Sequence, residues 1–203
     1  MQDKNLRCRL RRSILALSAC LGLFQSANGA VNEIVMNGSH HIEIQLDGLS
    51  SSESFRKDQR DFTKLQLLGA ETYAGKLFKV GNPDLPVMRF ITSSYPQVET
   101  SPSMSSLQSL KNLPSPVLPP RIKTKDVEAQ WVFDEASYQQ NDYYPSDLYS
   151  VEEMPSIRGQ QRYMVTIHPA RWNRVTNEIR LQLNWRISWE DVPVTDEASG
   201  FAF

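Results

Sequence analysis

Thirteen residues near the C-terminus, EIRLQLNWRISWE from Glu178 to Glu190, narrow the possible folds more than any other stretch of the chain. Ile179, Leu181, Leu183, Trp185, Ile187 and Trp189 occupy every second position, and Arg180, Gln182, Asn184, Arg186, Ser188 and Glu190 fill the gaps. In a strand successive side chains point to opposite sides, so this pattern collects all the apolar groups on one face; helical geometry would scatter them. The segment is therefore predicted to be a single long strand with a core face and a polar face. The polar face borders solvent or a hydrophilic partner, and Arg186 is a candidate partner-facing residue on it.

Other segments repeat the period. HIEIQLDG sets Ile42, Ile44 and Leu46 on one side, and DFTKLQLLG does the same with Thr63, Leu65 and Leu67 before Gly69. In PVMRFITSS both faces carry apolar residues, Val87 and Ile91 against Met88 and Phe90, which predicts a central strand. IRGQQRYMVTIHP places Tyr163, Val165 and Ile167 together, with Arg158 and Gly159 at the entry to the strand. A glycine there supplies backbone conformations closed to other residues, and Arg158 is either a solvated charge or a second partner-facing candidate. Residues 99–124 break the rhythm. Pro102, Pro114, Pro116, Pro119 and Pro120 cannot donate to a ladder, and the interspersed serines favour solvent, so one long exposed Pro/Ser-rich loop is predicted, with room for a short helical turn at Leu107 to Leu110. No stretch beyond the N-terminal leader sustains helical spacing. The prediction is an all-β domain over residues 31–192, built of sandwich-like or half-barrel antiparallel sheets, with residues 193–203 as a flexible tail.

The first thirty residues read differently. Lys4, Arg7, Arg9, Arg11 and Arg12 face the single acid Asp3, and SILALSACLGLF is an apolar run too short to span a bilayer. Small residues follow at Ala27 and Gly29, so residues 1–30 are expected to be an export signal cut after Gly29 or Ala30. Leu17-Ser18-Ala19-Cys20 offers a rival, lipoprotein-type processing site, which would anchor the protein to a membrane through Cys20. The Arg11-Arg12 pair is ordinary n-region charge as readily as a twin-arginine signal. Subtracting the leader's +4 from the overall −1 leaves a body of about −5, with no basic footprint for nucleic acid or an anionic membrane. An exported protein, periplasmic or secreted, is the expectation.

Catalytic equipment is scarce. Cys8 and Cys20 both fall in the leader, so cleavage near residue 30 removes every thiol. Neighbouring His40 and His41 would point to opposite faces of a strand and make a poor metal pair, and no GxSxG, GxGxxG or Walker pattern occurs. No metal and no cofactor are expected. Trp131, Phe133 and the tyrosines at 138, 143, 144 and 149 read as core and rim packing, with an aromatic carbohydrate platform as the sharper alternative.

Three of these segments, in order, resemble a known family. VGNPDLPVMRF resembles the Gly-x-Pro-x-Leu-Pro turn, YQQNDYYPSD the aromatic-aromatic-Pro segment, and IRGQQRYMVTIHPARWNRVTNEIRL the Arg-Gly-Gln strand and Pro-x-x-aromatic-Asn loop of the propeptide of gingipain-type cysteine peptidases. The resemblance covers roughly residues 60 to 190 and departs at Trp172-Asn173-Arg174, where the family often has Tyr-Asn-Pro; a less rigid loop is expected there.

The resemblance implies a β-rich pro-domain that helps a caspase-like catalytic domain fold and keeps it latent, in cis or in trans. With the chain ending at EASGFAF the family's catalytic Cys and His have no positions here, so the expectation is a stand-alone or truncated, non-enzymatic propeptide module. A generic exported β-sandwich surface module, adhesin or lipoprotein, without a peptidase partner, is the alternative. The family holds its peptidase latent through a basic residue on a loop entering the active site. By order of motifs the candidates are Lys123, then Arg121, then Lys125, beyond the Pro-rich stretch.

Overall fold

Alternating strands bury one face only when a second layer lies across it, and this chain supplies several. In the structure, a computed structural model, residues 29–76, 79–100, 107–119 and 131–191 are described. Fifteen strands are numbered in chain order among them. The first seven are β1 (Ala30–Met36), β2 (Ser39–Gln45), β3 (Gly48–Lys57), β4 (Arg60–Leu68), β5 (Ala74–Lys76), β6 (Pro86–Thr92) and β7 (Gln97–Thr100). Then come β8 (Leu107–Ser109), β9 (Leu113–Pro114), β10 (Tyr143–Tyr144), β11 (Tyr149–Ile157), β12 (Gln160–Ile167), β13 (Ala170–Asn173), β14 (Glu178–Leu181) and β15 (Asn184–Glu190). They form sheets in the orders β1-β2-β15-β7, β11-β12-β6-β5, β10-β13-β14-β8 and β3-β4-β9. Every pairing is antiparallel except β4 with β9, and none of the sheets closes into a barrel. The all-β, sandwich-like expectation agrees with this architecture.

Three hairpins turn on two residues each, with both central residues at positive φ: Asn37 and Gly38 (51° and 82°), Asp58 and Gln59 (47° and 63°), Arg158 and Gly159 (55° and 75°). Turns of this hand match the right-handed twist of the flanking strands, which is why they join β1 to β2, β3 to β4 and β11 to β12 without splaying them.

The main core lies between the first two sheets. Ile42, Ile44, Trp185, Ile187 and Trp189 from one meet Met88, Phe90, Val165 and Ile167 from the other, with Leu46 and Leu67 closing the gap. A second core gathers Leu85, Ala170, Trp172, Ile179 and Leu181, and the half-buried Leu49 and Leu183 touch both. Strand β6 is central, between β12 and β5, with Val87 and Met88 fully buried, although Ile91 is 52% exposed.

Two expectations change. The alternation from Ile179 to Trp189 is not one strand: it divides at Gln182-Leu183, where Gln182 N–H donates to Pro169 O (2.8 Å) and Leu46 N–H to Leu183 O (2.9 Å), so β14 and β15 enter different sheets. The apolar face stays buried across the break because each half finds its own core. The Pro-rich segment is not simply an exposed loop either. Glu99 and Thr100 belong to β7, Leu107–Ser109 forms a strand where a helical turn had room, and Ser115 and Val117 are buried.

Candidate functional site

The turn at Gly81-Asn82-Pro83 is where the segments singled out in the sequence converge. Gly81 has φ +81°, which glycine adopts freely, and an added Cβ would lie 3.2 Å from Asp134 Cβ, Asp134 N and Val132 Cγ1. Its N–H donates to Val117 O (2.9 Å), and its carbonyl accepts from Asp134 N–H (3.1 Å). Val117 N–H in turn donates to Asn82 O (2.7 Å), and Val80 and Val117 form an isolated parallel bridge. One turn thus grips the chain on both sides of residues 120–130.

The returning side is anchored further. The Trp131 ring centroid lies 5.4 Å from that of the buried Phe62 and 5.9 Å from that of Phe55, and Phe133 packs 4.3 Å from Tyr138. Ser137 Oγ lies 2.7 Å from Asp134 Oδ2 and 2.6 Å from Asn82 Oδ1, and the Ser137 contacts hold the Asp134 carboxyl below its ordinary range. The Tyr138 hydroxyl donates to Pro114 O (2.9 Å), and burial pushes its phenol well above the ordinary range. Trp131, Phe133 and Tyr138 are packing groups, as the blander of the two sequence readings expected.

Arg121, Lys123 and Lys125 lie outside the described residues. Arg158 occupies the exposed tip of the β11–β12 hairpin, and Arg186 lies exposed on β15, paired with Glu43 of β2 at 2.6 Å. The structure places these two on different sheets and does not bring them together. His40 stacks on Trp189 with centroids 4.9 Å apart, its Nε2 3.0 Å from Asp191 Oδ2. No group of His, Cys, Asp or Glu able to hold a metal ion occurs among the described residues.

A cleft of about 810 Å³ opens on the face of the β11-β12-β6-β5 sheet opposite the main core. Its floor is the cross-strand row Ser150, Thr166 and Arg89, and its wall is Tyr143, Tyr144 and Pro145, the last joined through a cis peptide bond. Arg174 and His168, each only 7% exposed, complete it. The Arg174 guanidinium lies 4.6 Å over the Tyr144 ring; its one hydrogen bond reaches Gln140 Oε1 at 3.5 Å, and its Nε has no partner. Burial lowers its pKa, which the neighbouring Tyr144, Tyr138, Asp134 and Asp142 oppose. Burial lowers the His168 pKa, opposed by a hydrogen bond to the Asp147 backbone and by the Asp147 carboxylate, with Arg89 and Arg171 adding to the lowering. Burial likewise pushes the Tyr144 phenol up to about 12.

The loop carrying Arg174 is tightly tied, contrary to the looseness expected where the family often has Pro. Asn173 Oδ1 accepts from Val175 N–H (2.9 Å) and Thr176 N–H (3.0 Å), and Trp172 Nε1–H donates to Asn177 Oδ1 (3.0 Å). These bonds need only the Asn and aromatic residues that are present. The sequence reading missed the cleft. Its two available signals were a cation, Arg89, inside an otherwise apolar strand, and Arg174 itself at the departure from the family pattern.

Open, mainly antiparallel sheets packed around two cores define the class: an all-β domain. The family Propeptide_C25 matches residues 36–197, and the chain belongs to that family, the propeptides of gingipain-type cysteine peptidases. Two solved structures share the fold. A chain from the structure addressing zymogenic latency of gingipain K from Porphyromonas gingivalis superposes with a TM-score of 0.65 at 16% identity, over 81% of this chain and 93% of that one. A chain from the complex of P. gingivalis RgpB pro- and mature domains gives 0.62 at 13% identity, over 83% and 86%. No curated protein sequence matches.

Proposed function

We propose that this protein is the pro-domain of a gingipain-type cysteine peptidase, holding the catalytic domain latent and assisting its folding, in cis or in trans, without catalysing a reaction itself. The observation that carries the reading is the double grip of Gly81. A segment whose two stems bond to one residue, Val117 on the way out and Asp134 on the way back, is presented from a fixed base, so an inserted cation loses less entropy on binding. Lys123, Arg121 and Lys125 lie between those stems, and we assign Lys123 first and Arg121 second as the residue received by a carboxylate-lined pocket. The family membership and the shared fold with chains from gingipain structures support this assignment. Residues 31–192 form the working domain in this reading, with Arg158 and Arg186 as outlying contacts. The leader directs export to the periplasm or beyond, by cleavage after Gly29 or Ala30 or by lipidation at Cys20.

The test adds the purified protein to Arg- and Lys-specific gingipain-type peptidases and measures inhibition. Lys123→Ala is expected to weaken inhibition about 10- to 100-fold, the value of a charge-assisted contact, and Arg121→Ala less. Strong inhibition untouched by either change or by both overturns the assignment of these residues. Absence of any inhibition overturns the latency reading in favour of a generic surface module.

A further inference from the structure

The cleft on the outer face of the β11-β12-β6-β5 sheet carries an inference that does not rest on the proposed latency role. Arg174 is the unusual group. A guanidinium only 7% exposed ordinarily has a carboxylate beside it, because removing a charge from water is costly unless an opposite charge and full hydrogen bonding compensate. Among the described residues Arg174 makes no ion pair: Asp134 and Asp142 act on it only from beyond contact distance, its one hydrogen bond is a 3.5 Å contact to a neutral amide, and its Nε has no partner. His168 lines the same space, one side of its ring toward the Asp147 backbone and the remaining ring nitrogen without a partner. Two buried polar side chains with unmet capacity on one cleft are a pre-formed receptor for an acceptor group.

We propose that the cleft binds a carboxylate carried on a peptide side chain, received by Arg174 with His168 beside it. Charge selects the class. Lys79, Arg89 and Arg174 outnumber Asp142 and Glu152 in the cleft lining, so the cleft attracts an anion. A planar guanidinium also matches a carboxylate's two oxygens. Size selects the carrier: about 810 Å³ far exceeds one carboxylate and is within the range of sites that take an extended ligand. The small polar Ser150 and Thr166 on the floor and the tyrosine rings along the wall leave room for a backbone to lie across them.

The experiment titrates the full chain with blocked tripeptides, acetyl-Gly-Glu-Gly-amide and its Gln counterpart, and with glutarate and inorganic phosphate, following the Arg174 Nε–H and His168 ring signals by NMR. The glutamyl peptide is expected to shift both signals saturably and the glutaminyl peptide neither. Arg174→Met should weaken glutamyl binding about 10- to 100-fold, with partial recovery in Arg174→Lys. Equal responses to the Glu and Gln peptides, or no response of either signal in the wild type, overturn the site. Tighter binding of phosphate overturns the carboxylate assignment, and glutarate binding as well as the peptide overturns the peptide carrier. The wild-type signals decide the matter even if Arg174→Met fails to fold.

Discussion

Replacing Gly81 by alanine should damage this protein in two separable ways, and Gly159 provides the control. Both glycines have positive φ, +81° and +75°, so both substitutions place an L-residue in the left-handed region, costing about 1–2 kcal/mol less a few tenths recovered from the stiffer unfolded chain. At Gly159 nothing lies within 4 Å of the new methyl group. At Gly81 three atoms lie at 3.2 Å, and one is the backbone nitrogen of Asp134, whose N–H bonds back to Gly81 O. That atom cannot swing aside as a side chain could. Relieving the contact moves the 131–134 stem and stretches its hydrogen bond, adding roughly 1–3 kcal/mol of overpacking. The expected losses are therefore about 1 kcal/mol for Gly159→Ala and about 3 kcal/mol for Gly81→Ala, or about 3 °C and 9 °C in Tm for a domain of this size. Thermal unfolding followed by circular dichroism measures both. If Gly81→Ala melts no lower than Gly159→Ala, the turn does not grip the stem, and the base proposed for the latency segment is lost with it.

Trp185→Ala should cost about 3–5 kcal/mol, since the ring is 3% exposed in the main core and its Nε1–H bonds Gln182 O at 3.0 Å. Arg186→Ala, on the exposed face of the same strand, should leave the melting temperature nearly unchanged because its pair with Glu43 is solvated; equal effects of the two substitutions would refute the face assignment. The buried His168 gives a pH dependence of known sign. Its pKa is lowered on folding, so the contribution is complete above the unfolded value of about 6.5 and is lost as pH falls below it, where only the unfolded state takes the proton, until pH reaches the folded value. Unfolding in urea between pH 7.5 and 5 should show this loss in the wild type and a flatter profile in His168→Gln; identical profiles would contradict a neutral buried imidazole.

The face of each strand was legible in the sequence because side-chain alternation is a property of the local backbone: Ile42, Ile44 and Leu46, like Ile179 through Trp189, point inward wherever their strand is placed. Which sheet a strand joins is a different matter. The division at Gln182-Leu183 depends on Pro169 O and Leu46 N–H arriving there from elsewhere in the chain, and no periodicity records that. The Pro-rich segment was half legible for a related reason. Proline removes a donor but keeps its carbonyl, so Pro114 can still accept from Tyr138 and pieces of two or three residues can pair where a long ladder cannot. Arg174 and His168 were visible as a charge and an imidazole, but their burial is produced by separate segments meeting, Tyr144 and Pro145 against the sheet that carries Thr166 and Arg89. Period, sign and turn chemistry belong to neighbouring residues and are written locally. The partners of a buried cation and the two stems held by Gly81 come together only on folding, because groups distant in the chain must arrive within hydrogen-bond reach for either to exist.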